Sequence, residues 1–147
     1  MHKTRKSYLQ NSKVNEKIVL SGLWTSMLFV FAYVDIFGFW RQDVVNGALV
    51  GNVPGTGLTI NQTFLALATV YILVPSLMIV ASLLAPARLN RVINIIVSLL
   101  YLGSVVVTAI GESWIYYILG SIVEMVLLAA ITYLAWAWPK RSRVTPH

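Results

Sequence analysis

The sequence predicts an all-α protein: a four-helix transmembrane bundle with a short interfacial segment in its first extracytoplasmic loop. The chain has 147 residues, of which 58% are hydrophobic and 11% are charged. A soluble domain of this length has too little interior to bury so much apolar surface, whereas lipid solvates it. Four apolar stretches are each long enough to cross a bilayer, and most basic residues flank them.

The composition excludes several kinds of site. The absence of cysteine excludes disulfides, iron–sulfur clusters and thiolate catalysis. The two histidines, His2 and His147, lie in polar termini, so they cannot hold a haem between helices. All five lysines lie outside the apolar stretches, which excludes the buried lysine of a retinal protein. We expect no cofactor and no metal site.

A net charge of +6 is compatible in principle with nucleic-acid binding. The basic residues, however, lie beside apolar spans, in the arrangement that orients membrane proteins. We therefore expect the lipid bilayer as a partner, and no nucleic acid.

The first apolar stretch, 18–40, follows a polar, basic lead, 1–17. A cleaved signal peptide also places a basic region before an apolar one. Here the apolar run of 23 residues is too long for that, and further spans follow. We predict a first transmembrane helix whose outer end carries Asp35 and an aromatic cluster between Phe37 and Trp40.

The connection 41–61 contains four glycines and Pro54, which exclude a regular helix throughout its length. Its first part is too apolar for a freely solvated loop, so we predict a short interfacial or re-entrant segment, followed by a turn at 52–57. A lid over the bundle and a passive loop on the lipid head groups are both open.

The second span contains Pro75, which removes one backbone hydrogen bond and is expected to kink the helix. Pro86 ends this span, and a short basic connection, 85–90, leads to the third. A turn at 111–113 precedes the fourth span, and a basic tail, 140–147, follows it. These spans are predicted at 63–84, 92–110 and 114–138, and one membrane domain covers 18–139.

The basic residues also predict the orientation. With four spans, the N-terminus, the second connection and the C-terminus share one side of the membrane, where they carry five, two and three basic residues. The other side carries Arg41 alone. The positive-inside rule therefore predicts that both termini are cytoplasmic.

Polar residues inside the spans are the candidates for a site. In the fourth span, Tyr117, Ser121 and Glu124 share one helical face. The third span carries a polar stripe, which must face the bundle interior because lipid penalises it. The stripe consists of Asn94, Ser98, Tyr101, Ser104 and Thr108.

The candidate groups lie at similar depths. At about 1.5 Å per residue, Glu124, Tyr101 and Tyr71 lie about 12–15 Å from the outer ends of their spans, and Asp35 about 7 Å. We expect the two phenols to donate hydrogen bonds to the Glu124 carboxyl group. An ionisable group at this depth often marks a working site, although a residue that holds helices together is the alternative. The predicted ligand-binding residues are Glu124, Tyr101, Tyr71, Asp35, Ser121 and Tyr117.

Each polar or charged residue near a membrane boundary is compatible with two roles. Asp35 is close enough to the boundary to be solvated or to pair with Arg41. Arg88, Asn90 and Arg91 are expected to set the topology and cap the third helix. The alternative is that Arg88 and Arg91 contact anionic lipid head groups.

Several short segments form an ordered set along the chain. They are 34–37 (VDIF), 61–65 (NQTFL), 89–96 (LNRVINII), 116–117 (YY), Glu124 and 133–138 (YLAWAW). This set resembles a family of small four-span bacterial membrane proteins classed as a domain of unknown function, loosely comparable with DoxX-like proteins. The resemblance covers roughly residues 20–140. It implies a four-helix bundle in a bacterial inner membrane and supplies no activity.

Three functions are compatible with these residues. The first is binding or transport of a small amphipathic or lipidic ligand in a polar intramembrane pocket around Glu124. The second is a non-catalytic subunit of a membrane complex, and a homo-oligomer is also open. The third is a membrane enzyme with Glu124 as acid or base. No second residue is committed to the complementary proton transfer, so we assign no catalytic residue and rank the enzyme last.

Overall fold

The computed structural model describes residues 14–138 and contains five α-helices within them. Of the predicted basic lead only 14–17 are described, and the predicted tail 140–147 lies outside the described residues. The helices are α1 (Glu16–Gly38), α2 (Gln42–Leu49), α3 (Gln62–Leu84), α4 (Ala87–Ala109) and α5 (Ile115–Trp136).

Four of the helices, α1, α3, α4 and α5, are long and apolar enough to cross a membrane. They have 22 or 23 residues, which corresponds to about 33–35 Å of helix. Asparagine side chains cap two of them, since Asn15 accepts a hydrogen bond from the Lys17 N–H and Asn61 accepts one from the Phe64 N–H. The predicted fold class, an all-α four-helix bundle, is confirmed.

The connection between α3 and α4 is shorter than predicted. The segment 85–90 was expected to be a loop, with the next span starting at 92, but α4 begins at Ala87, directly after Pro86. Proline disfavours helix for the residue before it, whereas it is compatible with the start of a helix. Arg88, Asn90 and Arg91 therefore lie within the first turns of α4.

The helices form a ring in the order α1, α5, α4, α3. Helix α1 packs against α3 and α5, and α4 packs closely against α5 and more loosely against α3. We call the half that contains the start of α1 and the α3–α4 connection the inner half, and the opposite half the outer half. The largest fully buried apolar side chains lie in or beside the inner half: Leu20, Trp24, Met27, Leu128 and Ile131.

The loop after α1 contains the predicted turn. Before it, where a short interfacial or re-entrant segment was predicted, lies a short helix, α2. The Val53 N–H donates to the Leu58 carbonyl at 2.9 Å, which closes the turn. Gly55, inside this turn, has a φ of +74°, a conformation that side chains disfavour. The predicted turn is confirmed. The position of α2 at the membrane interface and the function of the loop as a lid stay predictions.

Candidate functional site

The bundle is closed in its inner half and open in its outer half, as the polar stripe on α4 shows. Asn94 and Ser98 are fully buried, Tyr101 is 8% exposed, Ser104 is half-buried and Thr108 is exposed. The stripe therefore faces the interior over its first three members, as predicted. Thr108 departs from the prediction because the helices around it no longer enclose the interior.

Helices α1 and α3 open in the same direction. On one face of α1, Trp24 is fully buried, Phe31 is half-buried and Asp35 is exposed. On α3, Pro75 is buried, whereas all residues from 62 to 70 except Phe64 are exposed. The part of α3 that precedes Pro75 in the chain therefore lies at the margin of the bundle, so it does not cover the interior.

Five polar residues lie near one another in the outer half of the bundle, and we call the region between them the outer cleft. Tyr71 lies within electrostatic range of Glu124, Tyr117 and Asp35, and Glu124 lies within that range of Asp35. Ser121 lies one helical turn before Glu124 on the same face of α5. The structure thus brings together five of the six predicted ligand-binding residues: Asp35, Tyr71, Tyr117, Ser121 and Glu124.

Tyr101, the sixth predicted residue, bonds to the backbone of α3 instead. Pro75 has no N–H, so the Tyr71 carbonyl four residues earlier lacks its helical donor. The Tyr101 hydroxyl donates to this carbonyl at 2.5 Å. It therefore supports the proline-containing stretch of α3, and it does not bond to Glu124.

The phenol of Tyr71 is also committed elsewhere. The Ser104 hydroxyl donates its hydrogen to the Tyr101 carbonyl at 2.8 Å, and its oxygen lies 2.6 Å from the Tyr71 hydroxyl. Because Ser104 has one hydrogen to give, Tyr71 donates to Ser104. The expectation that Tyr71 and Tyr101 donate to Glu124 is therefore wrong, since both donors stabilise the contact between α3 and α4.

Glu124 faces the bundle interior, as predicted, and its carboxyl group has no partner. The residue is 4% exposed, and no described residue donates a hydrogen bond to its side chain. Ser121, which is 3% exposed, has a hydroxyl that is equally unpartnered among the described residues. Among the described residues, every completely buried side-chain nitrogen or oxygen atom has a hydrogen-bond partner. The unpartnered oxygens of Glu124 and Ser121 are therefore not completely buried.

Asp35 does not pair with Arg41, which was one of its two predicted environments. The Arg41 guanidinium instead binds Asp43 at 2.6 Å and Glu112 at 2.9 Å. Asp35 thus adds a second carboxyl group to the cleft without an ion-pair partner among the described residues. The outer cleft therefore contains two carboxyl groups, and no basic side chain of the described residues pairs with either of them.

The ion pairs of Arg41 form a second cluster, which we call the outer clamp: Arg41, Asp43, Glu112 and Trp114. The Arg41 guanidinium lies 4.9 Å from the centre of the Trp114 ring. Glu112 also accepts hydrogen bonds from the Ser113 and Trp114 N–H groups at 2.8 and 3.0 Å. The clamp fastens the start of α2 to the turn before α5.

Charge pairing changes the pKa values in the outer clamp. Hydrogen bonding to Asp43 raises the pKa of Arg41 above its usual value. Burial acts to raise the pKa of Glu112, but hydrogen bonds from Arg41 and from the Trp114 and Ser113 N–H groups lower it below its usual value. Both groups are therefore charged at neutral pH.

A fully buried hydrogen-bond network joins three helices in the inner half. The Trp24 indole N–H donates to the Asn94 side-chain oxygen at 2.7 Å, and the Asn94 amide donates to the Asn90 side-chain oxygen, also at 2.7 Å. The Asn90 amide donates to the Ser82 carbonyl at 2.6 Å. The prediction that Asn90 caps a helix is wrong.

The sequence analysis did not identify Trp24 and Ser82 as members of this network. The position of Trp24, far from the head groups, could have indicated it, since a buried indole N–H needs a hydrogen-bond acceptor.

The two arginines predicted to contact lipid head groups lie at the start of α4. Arg88 is exposed. Arg91 is half-buried, and its guanidinium lies 5.6 Å from the centre of the Trp136 ring. Their contact with lipid stays a prediction.

The bundle surface also carries two apolar grooves, and Glu124 lines neither. One, of about 420 Å³, lies between the outer halves of α1 and α5, beside Val34 and Gly120. The other, of about 330 Å³, lies between α4 and α5, beside Leu102 and Trp136. Gly120 fits closely against Val34, so a small residue at this position permits tight packing of α1 and α5.

Comparison with known proteins identifies a family without an assigned activity. No curated protein and no solved structure matches the chain. One family model, described as a family of unknown function (DUF6326), matches residues 8–145. The looser likeness to DoxX-like proteins stays a prediction. Because the match covers nearly the whole chain, this protein belongs to the DUF6326 family of unknown function.

Proposed function

We propose that this protein binds an amphipathic or lipidic ligand in its outer cleft and that Glu124 contacts the polar head of that ligand. The observation that carries the proposal is the carboxyl group of Glu124, which is turned inward and has no hydrogen-bond partner among the described residues. A buried carboxyl group left in this state is costly, and such groups inside membranes are usually retained for function.

The shape of the outer half supports an apolar route for the ligand. Residues 62–70 of α3 are almost all exposed, and α3 packs only loosely against α4. A ligand in the bilayer therefore meets an open side of the cleft. Four helices of 22 or 23 residues leave little space for a wide aqueous channel, which favours a ligand that arrives from the lipid.

The distribution of charge supports an orientation in which the cleft opens toward the extracytoplasmic side of a bacterial inner membrane. Ten of the eleven basic residues lie at the ends that the positive-inside rule assigns to the cytoplasm. Both termini are cytoplasmic in this arrangement, and Arg88 and Arg91 lie at the height of the cytoplasmic lipid head groups.

Mass spectrometry of co-purified amphiphiles tests the proposal. The full chain is purified in a mild detergent as wild type, Glu124→Gln and Glu112→Gln. The last variant makes the same chemical change outside the cleft, in the outer clamp. We expect one class of amphiphile to accompany the wild type and Glu112→Gln, and to fall at least fivefold in Glu124→Gln. Equal amounts in all three proteins would contradict the proposal.

A further inference from the structure

We infer that the outer cleft takes a lipophilic cation, an amphiphile whose head is a quaternary or protonated amine. This inference rests on the proposed function and specifies the chemistry of its ligand. It is carried by two features of the cleft. Its two carboxyl groups have no basic partner among the described residues, and two of its buried polar side chains have no hydrogen-bond partner there.

The two carboxyl groups belong to Asp35 on α1 and Glu124 on α5, which lie within electrostatic range of each other. The basic side chains of the described chain lie elsewhere. Lys17 donates to the Leu83 and Ala85 carbonyls at the inner end of α3, and Arg41 belongs to the outer clamp. Arg88 and Arg91 lie in the first turns of α4, also at the inner end.

The second feature is a pair of buried side chains, Glu124 and Ser121, to which a ligand could supply the missing polar contacts. Glu124 and Ser121 are each more than nine-tenths buried, and no described residue forms a hydrogen bond with either side chain. Both can accept a hydrogen bond or face a positive charge. The Tyr71 hydroxyl donates to Ser104 and the Tyr101 hydroxyl donates to the Tyr71 carbonyl, so neither phenol donates a hydrogen bond to Glu124.

Electrostatics distinguishes the classes of head group. An anionic head would be repelled by either carboxyl group in its ionised form, and the repulsion is larger in a membrane interior than in water. A neutral head can supply hydrogen bonds but does not stabilise the ionised form of a carboxyl group. A cationic head stabilises the ionised form of both Asp35 and Glu124.

Three probes with the same alkyl chain test the inference: octyltrimethylammonium, 1-octanol and octyl sulfate. Their binding to the full chain is measured by titration calorimetry in nanodiscs of zwitterionic lipid, and the signal from empty nanodiscs is subtracted. The quaternary ammonium keeps its charge at every pH, so probe ionisation does not affect the comparison. The comparison among probes requires no substitution, so it holds even if a variant fails to fold.

We expect saturable binding of octyltrimethylammonium with a Kd at least tenfold below that of 1-octanol, and no saturable binding of octyl sulfate. Glu124→Gln should weaken binding of the cation at least tenfold and Asp35→Asn at least threefold, whereas Glu112→Gln should leave it unchanged.

Two outcomes would overturn the inference. If 1-octanol binds as tightly as the cation and both depend on Glu124, the cleft takes a neutral head, and the proposed function survives without the cation. If no probe shows saturable binding that depends on Glu124, the cation inference fails outright, and the co-purification experiment separately decides the proposed function.

Discussion

The hydroxyl group of Tyr101 donates a hydrogen bond to the carbonyl of Tyr71, the backbone oxygen that Pro75 leaves without a helical donor. A side chain of α4 thus replaces a backbone bond that is absent from α3. This contact fixes α3 where its outer part passes to the margin of the bundle, and it forms part of the wall of the outer cleft.

The replacement predicts a coupling between Tyr101 and Pro75. Tyr101→Phe should lower the free energy of unfolding by about 1–2 kcal/mol, because it leaves a carbonyl unpaired in an apolar environment. In a Pro75→Ala background, the backbone N–H of the introduced alanine can serve that carbonyl, so the same change should cost less than half as much. Unfolding in mixed micelles measures both values, and equal costs in the two backgrounds would contradict the assignment.

Removal of the Glu124 carboxyl group should not destabilise the bundle. Glu124→Leu replaces a buried, unpartnered polar group with an apolar one, so the free energy of unfolding should stay equal or rise by about 1 kcal/mol. A residue that holds helices together by hydrogen bonds would give the opposite result. Thermal unfolding in detergent distinguishes the two roles, and a marked loss of stability would support the structural one.

The inner network should be sensitive to the loss of one N–H group. Trp24→Phe leaves the Asn94 side-chain oxygen with a single long bond from Ser82, of 3.3 Å. We expect a loss of about 1–2 kcal/mol in the free energy of unfolding. Trp136→Phe is the matched control, because Trp136 is exposed, and it should change that free energy by less than about 0.5 kcal/mol.

The outer clamp predicts a dependence of stability on acid. The pKa of Glu112 is below its usual value of 4.5 in the folded state, so the folded protein holds this proton less tightly than the unfolded chain. Its contribution is therefore complete above about pH 4.5 and is lost as the pH falls through the lower folded-state pKa. The loss should be less than about 1 kcal/mol, as for other solvent-accessible pairs.

Unfolding measured between about pH 3 and 6, a range set to bracket that pKa, checks this dependence. Glu112→Gln should remove most of it, because the glutamine does not titrate. An unchanged pH profile in this variant would show that the acid sensitivity arises at another group.

The contact between α1 and α5 predicts a difference between two glycines. A β-carbon at Gly120 would collide with the Val34 side chain, whereas one at Gly103 would meet open space. Gly120→Ala should therefore destabilise the protein by about 1–3 kcal/mol through overpacking. Gly103→Ala should be neutral or stabilising by up to about 1 kcal/mol, since alanine is the better helix former. Equal effects would contradict the close packing.

The helices and the inward face of α5 could be predicted because they depend on local features of the sequence. Apolar length identifies a span, and offsets of three and four place Ser121 and Glu124 on one face. The start of α4 was also within reach, since Pro86 is a suitable residue immediately before a helix. The polar residues Arg88 and Asn90, which follow Pro86, are also typical of a loop, so the start of the helix was predicted too late.

The partners of the tyrosines could not be predicted in the same way. Tyr71 and Tyr101 have the expected depth, but the rotation and tilt of two helices decide which acceptor each hydroxyl reaches. Depth alone made Glu124 the nearest candidate. The carbonyl freed by Pro75 and the Ser104 hydroxyl lie closer, and these contacts exist only after α3 and α4 have packed.

The buried network of Trp24, Asn94, Asn90 and Ser82 fills the half of the bundle below the cleft. In this conformation the cleft is open only in the outer half of the bundle, because the hydrogen-bonded amides and indole close the inner half. A molecule that enters the cleft must therefore leave on the same side. Passage to the opposite face would require these bonds to break together, so a carrier built on this fold would need a second conformation with another set of partners for the same asparagines.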